Sequence, residues 1–68
     1  MYNTLFEKIM EERGLSYNVI SIKTGISKAA LWNYAKGTRV PDLDNAILIL
    51  KGLNLSINYI EFLFKPTT

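Results

Sequence analysis

The chain has 68 residues, 49% of them hydrophobic, and a formal net charge of +2; this predicts a single domain over 1–68 whose small core must pack efficiently, since chains of this size bury only about 60% of the surface they expose unfolded. It has neither cysteine nor histidine, which excludes disulfides and thiolate metal sites and removes the commonest metal ligand and the commonest general acid–base. No metal, other cofactor or small-molecule ligand is expected.

Turn and cap residues divide the chain into five helical segments. Thr4-Leu5-Phe6-Glu7 fits a capping box, in which the hydroxyl and the carboxylate satisfy free amides at a helix start. Leu5, Ile9 and Met10 give that first helix an apolar stripe, and Gly14 stops it. Ser16 is the predicted cap of a second helix from Tyr17 to about Thr24, ended by Gly25. Ser27 caps a third from Lys28 to about Lys36, closed by Gly37. After a loop to Pro41, Asp42 caps a fourth, whose stripe is Leu43, Ala46, Ile47 and Leu50. The segment 56–64 suits a helix with Ile57, Ile60 and Phe64 on one face, although its Ile, Tyr and Phe content also suits a strand. The unbroken run Phe62-Leu63-Phe64 spoils strict alternation and favours the helix; Pro66 ends it, ahead of a frayed tail. The expected core is Ile20, Ile26, Leu31, Tyr34, Ile47, Leu50 and Leu53.

Charge is distributed unevenly. Arg13, Lys23, Lys28, Lys36 and Arg39 all lie between Arg13 and Pro41, a stretch that holds none of the six acids. Five cations can simply solvate a helical surface, but clustered Lys and Arg also produce the positive potential that suits a polyanion. Apolar runs such as Ala46 to Leu50 are too short to span a bilayer, and Glu7, Glu11 and Glu12 near the start are unlike a secretory signal. A cytoplasmic location without membrane contact is expected. Met1 and the frayed end favour a complete protein over a part of a longer one.

Tyr17 to Lys36 reads as helix, glycine-containing turn, helix. Two helices crossing near a right angle need a small residue at closest approach, met by Ser21, and a turn residue tolerating positive φ, met by Gly25. Ile26 anchors the turn, and Ile20, Leu31 and Tyr34 supply the apolar faces; Thr24 stands where a further apolar group is expected. With Gly14-Leu15-Ser16 before the motif, Gly25-Ile26-Ser27 at the turn, Gly37 after it, Pro41 ahead of an apolar helix and Leu53-Asn54-Leu55-Ser56 at its end, the chain resembles the phage repressor and Cro-like (XRE-type) helix-turn-helix domains. The resemblance runs from about Leu5 to Ile60. It departs from the family's habit at Tyr17, usually Gln, at Ser21, usually Ala, and at Ala35, usually a Glu that makes an ionic tie.

The resemblance implies an all-α, five-helix lambda-repressor-like fold whose third helix enters the major groove of double-stranded DNA. It makes Lys28, Ala29, Ala30 and Asn33 the base-reading candidates: an ammonium for guanine acceptors, short side chains for thymine methyls, an amide for adenine. Ser27, Tyr17, Asn18, Lys36, Thr38 and Arg39 then flank the groove as candidate phosphate contacts, with Trp32 either on the sugar–phosphate or packed at the rim. One such domain makes few contacts, so a homodimer on an inverted-repeat operator is implied, acting as a repressor or Cro-like regulator of phage or prokaryotic origin. Tyr59, Phe62 and Phe64 are the expected dimer surface, because three aromatics exceed what so small a core holds; the alternative packs them on the first helix beside Tyr2 and Phe6.

Two other classes compete. An enzyme finds little support: the acids fall on scattered helices, adjacent Glu11 and Glu12 diverge, and no phosphate loop or metal-ligand spacing occurs. A protein-binding module that keeps the fold without reading an operator, such as an antirepressor or inhibitor, is favoured by the apolar Ala29, Ala30 and Trp32 and disfavoured by the acid-free stretch.

Overall fold

The computed structural model describes residues 2–66; Met1, Thr67 and Thr68, and with them the predicted tail, lie outside the described residues. Helices form where a side-chain oxygen caps them: α1 over Leu5–Glu12, α2 over Tyr17–Thr24, α3 over Lys28–Lys36 and α4 over Leu43–Leu53. Thr4, Ser16, Ser27 and Asp42 each accept from the N–H three residues on, replacing a partner that the first turn lacks. Gly25 ends α2 at φ +77°, and Asn54 ends α4 at φ +58°, a left-handed position that Asn tolerates better than most side chains.

The fifth segment differs from expectation in kind. Ile57–Glu61 is a 3-10 helix, not an α-helix, and it is not a strand. Ser56 caps it through the Asn58 N–H only two residues on, and Phe62 already leaves the helical path at φ −129°. The chain then turns inward: the Phe6 N–H donates to the Leu63 carbonyl at 2.9 Å, and Thr4 and Pro66 form an isolated bridge. Two long-range anchors within a few residues leave no length for an α-helix.

This inward turn corrects the reading of Phe64 as interface. Phe64 is 4% exposed and meets Phe6 and Tyr34 edge to face, at centroid distances of 5.4 and 6.1 Å. It is core, as are Ile20, Ile26, Leu31, Tyr34, Leu50 and Leu53. In α4 the buried stripe is rotated from the expected one. Ile49 is fully buried, Ile47 only half-buried, and Leu43 is 63% exposed. Apolar residues occupy most of α4, so the pattern permits more than one roll. The close pass of α2 selects one: a methyl added at Gly52 would lie 3.2 Å from Thr24 Cγ2, and this turns the Ile49 side inward. Thr24 fills its apolar site with that methyl while its hydroxyl donates to the Ile20 carbonyl at 2.8 Å.

The missing glutamate at position 35 is also explained. Ala35 is fully buried, and its carbonyl accepts from the buried Thr4 Oγ1 at 2.7 Å. Beside it, Lys36 is paired with Glu7. Both links join the start of α1 to the end of α3.

Candidate nucleic-acid interface

The Ser27 cap and the Gly37 stop fix the length and orientation of α3, and Leu31, Tyr34 and Ala35 bury its inner side. Lys28, Ala29, Trp32, Asn33 and Lys36 therefore share the outer side, at helical spacing. Ser27, Lys28 and Ala29 are exposed, and the first amides of α3 open to the same end. Ala30 departs from the expected set. It is half-buried against the core, which leaves Ala29 as the alanine on the open face.

Trp32 is 48% exposed, with Lys36 Nζ 5.8 Å from its ring centroid, so about half of the indole surface stays open to solvent on the outer side of α3. Asn33 is half-buried and held: its Nδ2 donates to the Ala29 carbonyl at 3.0 Å, and its Oδ1 accepts from Thr38 Oγ1 at 2.8 Å. Arg39 and Asn18 are exposed; Tyr17 is half-buried beside Glu7, Met10 and Lys36. Burial pushes the Tyr17 phenol above its ordinary value, so it remains a protonated donor at neutral pH. Neither Lys28 nor Arg39 makes an ion pair among the described residues. Arg13 is spent elsewhere, donating to the Leu53 carbonyl at the end of α4.

One contributor was missed by sequence reasoning. The stretch without acids is not free of them in space, because Glu7 reaches Lys36 from α1 across 29 positions. No local pattern signals such a pairing; only the tertiary approach of α1 to α3 creates it. Hydrogen bonding from Lys36, and then from the Asn3 backbone, holds the Glu7 carboxyl below the ordinary glutamate value. Glu7 in turn holds the Lys36 ammonium above the ordinary lysine value. The sign follows directly. An acid with a lowered folded value contributes stability that is complete above its unfolded value, about 4.3, and is lost as pH falls through the folded one. The raised Lys36 contributes below about 10.4 and loses its share as pH rises through its folded value. Glu7→Gln is therefore expected to flatten the acid limb of stability against pH, read from urea midpoints between about pH 5 and pH 2. An unchanged acid limb would show that the pair does not contribute.

Short capped helices, a glycine turn and an open α3 face bearing cations and an amide together define a helix-turn-helix nucleic-acid-binding domain. A family model described as helix-turn-helix matches residues 6–60, and the chain belongs to that XRE-type family. It is thereby a double-stranded-DNA-binding protein of the transcription-regulator class. The chain matches none of the curated proteins and none of the solved structures compared with it. Among the described residues, no helix is long and apolar enough to cross a membrane.

Proposed function

We propose that the protein is a repressor or Cro-like regulator that reads an inverted-repeat operator as a homodimer. The observation that carries this reading is the outer face of α3, where exposed Lys28 and Ala29 and the half-buried, held Asn33 lie together, with Arg39 exposed beyond the helix end. In this assignment Lys28 and Asn33 read base edges, Ala29 meets a thymine methyl, and Ala30 lies behind it. Ser27, Tyr17, Asn18 and Arg39 hold phosphates, Trp32 packs on the sugar–phosphate, and Lys36 joins them when it leaves Glu7.

The pairing surface is an apolar groove of about 450 Å³ whose lining includes Val40, Pro41, Leu43 and Ile60. Val40 is 73% exposed, and Phe62 nearby in sequence is 46% exposed with Tyr59 tilted against it at 5.4 Å. Glu61 and Lys65 sit at the rim. A two-fold contact makes such a rim self-complementary, acid of one protomer to base of its partner.

Lys28→Ala and Asn33→Ala are each expected to weaken specific binding by about 1–3 kcal/mol and nonspecific binding much less. Titration of the selected operator and of random DNA reads both. Parent-like affinity for the operator in both variants would remove the base-reading assignment.

The exposed indole of Trp32 and the neutralised Lys36 favour a second reading, a module that binds protein through α3. Random-sequence DNA separates the two: the regulator binds it with a steep loss in salt, whereas the protein-binding module does not bind it at all.

A further inference from the structure

We propose that Thr38 is a positioning residue that, together with the Ala29 carbonyl, locks the direction in which Asn33 presents its amide, restricting it to adenine; this rests on the base-reading role proposed for Asn33. Gly37, at φ +80°, turns the chain back on α3, so that the Thr38 N–H and then its hydroxyl meet Asn33. The Thr38 N–H donates to the Asn33 carbonyl at 3.1 Å, and Thr38 Oγ1 donates to Asn33 Oδ1 at 2.8 Å, its nearer acceptor, with the Asn33 carbonyl at 3.2 Å. The Asn33 side chain runs back along the helix, as helical side chains do, and Nδ2 donates to the Ala29 carbonyl at 3.0 Å. This brings the amide beside Ala29, toward the end of α3 that meets bases, and the methyl of Ala29 leaves it room.

The two partners determine which way round the amide sits. The Ala29 carbonyl can only accept, so it requires nitrogen on its side; an inverted amide would set two oxygens against each other. Thr38 then meets oxygen and donates its one proton to it. One N–H on Nδ2 and one lone pair on Oδ1 remain. That donor and acceptor match the N7 acceptor and N6 donor of adenine in the major groove, whereas guanine presents two acceptors, one of which would face Oδ1. A threonine whose proton is committed to Asn33 has none to give a phosphate, so its contribution is to sequence preference and not to general affinity.

Site selection from random DNA with the parent, Thr38→Val, Thr38→Ser and Asn33→Ala tests this. The parent and Thr38→Ser are expected to require adenine at one position in each half-site. Thr38→Val is expected to lose about tenfold of that discrimination, of the order carried by one base contact, with nonspecific affinity and salt dependence unchanged. In the free protein, Thr38→Val should also move the Asn33 side-chain amide resonances toward those of an unrestrained amide, and Thr38→Ser should not. Persistence of the adenine preference in Thr38→Val, when Asn33→Ala has lost it, overturns the positioning role and leaves the base-reading role standing. Equal weakening of all sequences by Thr38→Val makes Thr38 a phosphate contact and also overturns it. If Asn33→Ala changes no position, the base-reading role fails and the positioning role with it.

Discussion

Phe64→Glu is expected to abolish cooperative unfolding, whereas Phe62→Glu is expected to leave the fold intact and dissolve the proposed dimer. Phe64 is 4% exposed between Phe6 and Tyr34. Truncating a buried phenylalanine alone costs about 3–5 kcal/mol, and an unpartnered carboxylate in its place adds a desolvation cost. A domain of this size holds only about 3–10 kcal/mol in total, at roughly 0.05–0.15 kcal/mol per residue. The substitution therefore consumes most or all of it. Phe62, 46% exposed two positions earlier, loses only a partly wet contact with Tyr59. Its charge replaces an apolar ring in the proposed pairing surface and stands beside Glu61, which adds a second acid there. Circular dichroism melting reads the first effect and sedimentation equilibrium the second. A folded Phe64→Glu, or a dimeric Phe62→Glu, would contradict this division of the C-terminal aromatics.

Operator affinity is expected to fall by about a hundredfold between 50 and 200 mM salt. Each neutralised phosphate contributes about −0.9 to the log–log slope, and a dimer using about two cations per protomer neutralises about four. Arg39 is exposed and forms no ion pair among the described residues, so Arg39→Ala should flatten the slope by about 2 for the dimer. Lys36→Ala should flatten it less, because Lys36 must first leave Glu7. Titrations at four salt concentrations measure both. Equal slopes for the parent and Arg39→Ala would remove Arg39 from the interface.

Local chemistry made most of the helices legible. Thr4, Ser16, Ser27 and Asp42 cap where their residue types predict, and Gly25, Gly37 and Asn54 stop helices where a left-handed residue is required. What depends on distant contacts was less legible. The roll of α4 follows from the approach of Thr24 to Gly52, and the unbroken apolar run from Ala46 to Leu50 carries no mark of it. The 3-10 form of 57–61 follows from anchoring Leu63 on Phe6, and that anchor also takes Phe64 from the surface to the core. At the candidate site, the open face of α3 could be read from helical spacing. The Glu7–Lys36 pair and the Thr38–Asn33 link could not be read in that way, because each depends on how a neighbouring segment folds back on α3.

The most direct test of the homodimeric operator-reading role is the symmetry of the DNA site the protein selects from random sequence. Two recognition helices in successive major grooves predict an inverted repeat with half-site centres about 34 Å apart, bound by two protomers. A selected site lacking two-fold symmetry and bound by one protomer, or no enrichment of any sequence, would contradict that role.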